Sequence, residues 1–237
     1  MKLTKEQKSI RRRLIEIAYE NHLSHLGPCL SAIDIICALY AIKSAGERFV
    51  LSSGHAALAL YMVLENHDLL SMPSMNNICV HPDRNSGKCI DVSTGSLGQG
   101  LPIALGMALA DRTKNVYCVI SDGECAEGSI WESLRAGLEQ NINNLKIVIN
   151  ANGWGAYMPI SLPLLLNRIK GFGYKAKIVD GHNIKGLKRS LMTRIKDRPL
   201  IIFAKTSVEQ LPFLKGQDAH YYTMTSEDFA LAKEILS

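Results

Sequence analysis

Asp122 and Asn152 follow two short apolar runs, V-Y-C-V-I-S and L-K-I-V-I-N-A, and both carry oxygen donors. An amphipathic stretch containing Trp131 separates the runs. If the runs are parallel strands joined by a helix, both polar residues emerge at the same carboxyl edge. Ligands bind at that edge in open α/β sheets. One carboxylate plus one amide oxygen suits Mg²⁺, with Ca²⁺ or Mn²⁺ as substitutes. Such a hard cation takes few protein ligands and fills its octahedron with phosphate oxygens and water. The pair therefore has the form of a metal–diphosphate clamp. Taken singly, Asp-Gly and Asn-Gly are ordinary turn dipeptides; their coincidence at matching strand ends carries the reading.

Histidine is the second chemistry-bearing type. His25, His55, His81 and His220 fall in loops that precede or follow helices. Imidazole suits proton transfer near neutral pH and hydrogen bonding to substrate hydroxyls. Any one of them alone is more often a surface or turn-stabilising residue. No pair has the close spacing of a metal site on one helix, which argues against zinc. A glycine-rich turn, T-G-S-L-G-Q-G (94–100), opens a helix and lets backbone N–H groups approach an anion. Its G-x-x-G-x-G spacing is not the dinucleotide fingerprint, and no G-x-x-x-x-G-K phosphate loop is present.

The elements that must hold these residues alternate between strand and helix. Thr4 with Gln7 makes a capping box ahead of a helix ending near Asn21. S-H-L-G-P (24–28) reads as a loop, with Ser31 capping a second helix through Tyr40. A strand at 48–51 leads through S-S-G-H into a helix at 56–65, and 71–92 reads as loop with a short helix. Beyond the central unit the pattern predicts helices at 162–170 and 184–196, strands at 174–179 and 200–204, an irregular 205–224, and a last helix capped by Thr225. No repeat, linker or low-complexity segment interrupts it. The expectation is one α/β domain over 1–237, a doubly wound and mostly parallel sheet with helices on both faces.

Bulk properties narrow the function. Of the 237 residues 47% are hydrophobic but only 6% aromatic, as an aliphatic sheet-and-helix core requires. The charge of +5 is modest. Its densest run, Arg11-Arg12-Arg13, lies on an amphipathic helix and reads as a solvated face. No aromatics interleave with the cations, so nucleic acid is not an expected partner. Cys29, Cys37, Cys79, Cys89, Cys118 and Cys125 form no C-x-x-C pair. The charged start lacks a signal core and no apolar run approaches a membrane span, so a cytoplasmic location without membrane contact is expected.

The segment S-D-G-E-C-A-E-G, followed by N-A-N-G, resembles the thiamine-diphosphate signature, G-D-G and then N-N, with Ser121 and Ala151 as departures. Neither departure removes a metal-binding oxygen. S-H-L-G, L-S-S-G-H, His81-Pro82 and T-G-S-L-G-Q-G extend the resemblance to the transketolase family from about residue 10 onward. The resemblance implies the thiamine-diphosphate-binding fold of the diphosphate (PP) type. It places the metal on Asp122, Asn152 and the carbonyl of Trp154. It places the cofactor near His55, Gly95, Ser96, Leu97, Gly123, Glu124 and Asn152. His25, His81 and His220 would line a sugar channel as catalytic residues. Around His220 the loop departs from the family, with Ser207-Val208-Glu209-Gln210 where glycines are usual. Glu127 and Glu132 lie near family positions at a subunit interface, and a solvated helix face explains each equally well.

In the family, the glutamate that activates the cofactor's pyrimidine ring comes from a second domain. This chain ends at Ser237, before such a domain. The resemblance therefore implies the amino-terminal subunit of a split transketolase. A separate partner would bring the pyrimidine-binding and carboxyl-terminal domains, in a heterotetramer acting on sugars or sugar phosphates. The reaction implied is transfer of a two-carbon ketol unit from a ketose to an aldose. Three rivals stand beside it: another thiamine-diphosphate enzyme (a 2-oxo acid dehydrogenase subunit or a deoxyxylulose-phosphate-synthase relative), a non-catalytic partner-binding scaffold, and a nucleotide-binding module.

Overall fold

The computed structural model describes residues 2–70, 79–86 and 89–237. Five strands form one all-parallel sheet in the order β1-β2-β3-β5-β4. They are β1 (Arg48–Leu51), β2 (Val116–Ser121), β3 (Leu145–Ala151), β4 (Lys177–Asp180) and β5 (Leu200–Lys205). Every residue of β2 and β3 is buried, as expected of parallel strands covered on both faces.

The helices divide between the two faces. Phe49, Leu51, Tyr117, Val119 and Val148 pack into one core with α1 (Lys5–Glu20), α2 (Leu26–Tyr40), α3 (Ala57–Asn66), α7 (Ile184–Leu191) and α8 (Ser226–Ile235). Val50, Cys118, Ile120, Ile147 and Ile149 point the other way, against α4 (Gly100–Ala110), α5 (Gly128–Glu139) and α6 (Leu162–Gly171). Strand alternation thus feeds two cores, and the doubly wound expectation holds.

Local chemistry explains most boundaries. The Thr4–Gln7 capping box forms as expected, and Thr225 with Asp228 caps α8 in the same way. Asn183 caps α7 and Ser161 caps α6. The second helix differs from expectation: it starts at Leu26, not Ser31, with His25 in the left-handed region at φ 64°. Pro28 sits in its first turn, where the missing N–H costs no hydrogen bond. Ser31 lies inside the helix, its hydroxyl donating to the Pro28 carbonyl at 2.8 Å.

Strand β4 begins at Lys177 rather than Tyr174, because Gly173 (φ 87°) ends the preceding helix and Tyr174 turns inward to the Leu134 carbonyl. Helix α7 stops at Leu191, earlier than its periodicity suggests. Of the loop expected over 71–92, residues 71–78 and 87–88 lie outside the described residues, and Arg84–Ser86 forms one 3-10 turn. Among the described residues no helix is long and apolar enough to cross a membrane.

Candidate active site

Strands β2 and β3 pair in register, Ser121 opposite Asn150, so the residues after each strand emerge side by side at the carboxyl edge. Asp122 is buried there. Its Oδ2 accepts the Gly153 N–H at 2.6 Å and its Oδ1 the Gly123 N–H at 3.0 Å. Asn152 Oδ1 accepts the Trp154 N–H at 2.9 Å. The Trp154 carbonyl faces Gly123, since a Cβ added at Gly123 would lie 3.9 Å from it. The residues assigned to a metal from sequence therefore lie on neighbouring turns at one sheet edge, the Asp122 and Asn152 oxygens each accepting a backbone N–H. Burial pushes the Asp122 carboxyl up to about 7, against the pull of the surrounding backbone N–H groups. A buried carboxylate held in this way gains from a nearby cation.

Among the described residues there is no group of three or more His, Cys, Asp or Glu side chains placed to hold a metal. An ion here would rest on a single carboxylate plus amide and carbonyl oxygens, the donor set that Mg²⁺ tolerates when phosphate and water complete it.

The glycine turn is tied to the clamp through Glu124. This fully buried carboxylate accepts the Ser52 hydroxyl at 2.5 Å, the Gly98 N–H at 3.0 Å and the Ser121 N–H at 2.9 Å. Burial raises its proton affinity and the donors oppose that. All of these contacts lie within the protein, so the Glu124 side chain ties three segments together where the sequence suggests a cofactor contact. Gly54 abuts the turn closely, with room for no Cβ beside Thr94 and Gly95, and the Thr94 hydroxyl donates to the Leu51 carbonyl. Ser96 is exposed and Leu97 half-buried at the tip. Gly95, at φ 151°, has the His81 ring 3.0 Å from where its Cβ would be.

Three of the histidines converge directly. Ring centroids of His25 and His55 are 5.6 Å apart, and those of His55 and His220 6.1 Å. The His25 backbone N–H donates to the His220 carbonyl at 2.9 Å, and Ser24 Oγ lies 2.9 Å from His25 Nδ1. Burial first, and then the neighbouring rings His25, His220 and His81, pushes His55 down to about 3. Burial and then His25 take His220 to about 4. Burial and then His81 also lower His25. The lowered proton affinities leave these rings neutral near pH 7. His220 Nδ1 is buried with no partner among the described residues.

Several residues that organise this edge carry no chemical motif. Asn150, buried within β3, donates to Ser31 Oγ at 2.8 Å and accepts from Thr206 Oγ1 at 2.6 Å, joining α2 and the loop after β5 to the clamp strand. A polar residue inside an apolar run was the available signal. Tyr221 lies 5.9 Å from the His25 ring and donates to the Ala156 carbonyl, and the Trp154 ring lies against Gly216. Trp131 packs on Phe172 and donates to the Cys125 carbonyl. A separate cavity of about 1360 Å³, floored by Gln7, Arg11, His182, Ser207 and Gln210, contains none of these site residues. Its floor groups are bonded to one another or to Asp34, Leu30 and nearby backbone.

Known proteins share this fold. A family model described as 1-deoxy-D-xylulose-5-phosphate synthase matches residues 1–170. Transketolase of Pongo abelii is 35% identical over 208 residues, which are 77% of this chain and 33% of that protein. One subunit of the apulose-4-phosphate transketolase of Phocaeicola vulgatus is 28% identical over 96% of this chain and 91% of its own length. The chain thus spans about a third of the full-length relatives but nearly all of that shorter protein. The solved transketolase of Campylobacter jejuni superposes with a TM-score of 0.81 at 23% identity, covering 98% of this chain and 42% of its own. The Leishmania mexicana transketolase gives 0.82 at 19% identity, over 99% and 42%. With the family model matching residues 1–170, the chain belongs to the transketolase and 1-deoxy-D-xylulose-5-phosphate synthase family of thiamine-diphosphate proteins, in its amino-terminal part.

Proposed function

We propose that this chain is the amino-terminal, diphosphate-binding subunit of a two-subunit transketolase. It acts as one domain over 1–237, with a partner that supplies the pyrimidine-binding and carboxyl-terminal domains and two copies of each in the assembly. Support for the division comes from the likeness to a protein that is itself named as one subunit of a transketolase, over 91% of that protein's length. A cytoplasmic site of action accords with sugar or sugar phosphate substrates.

The observation that carries the reading is the Asp122–Gly153 bond, which joins two strand tips into one oxygen-rich turn. Asp122, the Asn152 side chain and the Trp154 carbonyl would hold Mg²⁺ or a substituting Ca²⁺ or Mn²⁺. The turn through Gly95, Ser96 and Leu97, the Gly123–Glu124 backbone and His55 would line the diphosphate side. Thiamine diphosphate, when bound, supplies the electron sink for breaking a ketose C2–C3 bond. His25, His81 and His220 would grip sugar hydroxyls and hold or move a proton there. Neutral imidazoles suit that task because each can donate at one nitrogen and accept at the other.

Two measurements test this. Calorimetry with thiamine diphosphate and Mg²⁺ in the presence of the partner separates a cofactor-binding subunit from a scaffold. A ketol-transfer assay on the chain alone, and co-expressed with a candidate partner, is expected to show activity only in the pair. Appreciable transfer by the single chain would refute the division of labour. A second reading, decarboxylative condensation of a 2-oxo acid with an aldose phosphate, draws on the description of the matching family model. The same co-expressed pair, offered a 2-oxo acid, decides between the two.

A further inference from the structure

Four rings close a circuit at the carboxyl edge of the sheet. The centroids of His25 and His55 are 5.6 Å apart, those of His55 and His220 6.1 Å, those of His220 and Tyr221 6.3 Å, and those of Tyr221 and His25 5.9 Å. Exposure rises around the circuit. His220 is 7% exposed, His25 and His55 are half-buried, and Tyr221 is 55% exposed. The tyrosine is therefore the outermost member, with more than half of its surface open.

Its position is fixed from both ends. The Tyr221 hydroxyl donates to the Ala156 carbonyl at 3.3 Å, and Gln217 Nε2 donates to the same carbonyl at 2.9 Å. The Tyr221 backbone N–H donates to the Asp218 carbonyl at 3.0 Å, closing the 3-10 turn Gly216–His220. At the start of that turn the Trp154 ring lies against Gly216, 3.0 Å from where a Cβ would be. The segment after β5 is thus fastened across the turn after β3, and Tyr221 spans the gap between that turn and the histidines. A side chain held in this way has little rotamer freedom left to lose when a ligand meets it.

We propose that Tyr221 is the outer wall of the sugar site and sets its preference for long acceptor aldoses over short ones. The inference rests on the ketol-transfer reading above. A sugar chain carries weakly positive C–H groups between its hydroxyls. The negative face of an aromatic ring attracts them, while the polar tip of a tyrosine stays hydrogen-bonded. The imidazoles take the hydroxyls, since each can donate at one nitrogen and accept at the other. Acceptors differ only in the carbons beyond the aldehyde that joins the two-carbon unit. A two-carbon aldehyde ends among the inner histidines, whereas a five-carbon aldose extends to the open rim where Tyr221 stands.

The test uses the cofactor-loaded pair of subunits with hydroxypyruvate as donor. Its carboxylate leaves as CO₂, the two-carbon unit joins the acceptor's aldehyde carbon, and the new alkoxide takes up one proton, so no donor remnant competes for the rim. Glycolaldehyde and ribose 5-phosphate serve as the short and long acceptors. Tyr221→Ala should raise the KM for ribose 5-phosphate about tenfold relative to that for glycolaldehyde, the mark of lost binding rather than lost chemistry. Tyr221→Phe keeps the ring and should retain most of the preference. An equal change for both acceptors would make Tyr221 a prop for His25 and overturns the proposal. So does a Tyr221→Phe variant as impaired as Tyr221→Ala, or a loss confined to assembly of the pair in sedimentation, which would give the ring to the partner. A wild-type pair that binds thiamine diphosphate yet transfers no ketol unit counts against the proposed function instead. Tyr221 is then judged by calorimetric binding of ribose 5-phosphate to that pair, and binding that is absent, or equal in Tyr221→Ala, overturns the inference.

Discussion

The carboxylate of Asp122 accepts the Gly153 N–H at 2.6 Å, so the tip of β2 is bonded to the turn that follows β3. That bond ties the two strand ends to each other within the chain. Asp122→Ala removes the carboxylate from that turn. It is expected to abolish Mg²⁺-dependent binding of thiamine diphosphate, or weaken it by more than the roughly 10- to 100-fold that loss of an outer-shell group brings. The fold should survive, because the lost hydrogen bonds are offset by relief of a buried charge. Calorimetry on a variant with native circular dichroism checks this; undiminished binding would remove Asp122 from the ligand set.

Glu124 is the residue through which the glycine turn, the segment after β1 and the β2 tip are held together. Its oxygens face donors on three sides: the Ser52 hydroxyl, the Gly98 N–H and the Ser121 N–H. Glu124→Gln sets an amide NH₂ against those donors and removes the charge from the remaining bonds. Charge-assisted bonds of this kind contribute about 1.5–3 kcal/mol, so urea unfolding should show a loss of about 2 kcal/mol or more. A change within about 0.5 kcal/mol, the range of an inconsequential surface substitution, would show that the three segments hold without it.

Roles that follow from local pattern are legible in the sequence. Strand runs at 116–121 and 145–151, the Thr4 and Thr225 caps, and the adjacency of Asp122 and Asn152 all follow from periodicity and parallel topology. What stays hidden depends on partners far away in the chain. Glu124 has the look of a ligand-facing motif residue, yet its partner Ser52 lies 72 residues away. Asn150 gains its role from Ser31 and Thr206, 119 and 56 residues distant. The start of α2 is misread from sequence because a serine inside the helix mimics a cap, while the actual cap position is a histidine in a left-handed conformation with no side-chain bond to the helix.

Asp34 is a second test of how the chain is held. Fully buried on α2, it takes Arg11 of α1 on both oxygens and also accepts from Gln7 Nε2, with His182 Nδ1 2.9 Å away. These partners hold its carboxyl below the ordinary range despite burial. Arg11, expected from sequence on a solvated face, is instead fully buried against this carboxylate, and Asp34→Ala leaves its guanidinium without a counter-charge. Breaking a buried pair from one side costs about 3–5 kcal/mol. Denaturant unfolding should register that loss at neutral pH, and a loss below about 1 kcal/mol would mean that water reaches Arg11.

The histidine cluster makes a pH prediction whose sign is fixed by burial. His55 is pushed down to about 3 and His220 to about 4, whereas in the unfolded chain both titrate near 6.5. Between those limits the unfolded chain binds protons that the folded chain refuses, so stability falls as the pH drops below about 6.5. At pH 5 each ring costs at most about 2 kcal/mol, from 1.36 kcal/mol per pH unit. Asp122 works in the opposite sense: raised to about 7, it takes up a proton on folding and adds stability as the pH falls from about 7 toward 4. The two trends partly cancel in the wild type, so the histidine contribution must be read from a difference. The stability of His55→Gln relative to wild type should therefore improve by about 1–2 kcal/mol when measured at pH 5 instead of pH 7.5, with a similar or smaller gain for His220→Gln. A difference that stays constant across that interval would mean the rings protonate freely in the folded chain, and the neutral hydrogen-bonding role assigned to them would fail.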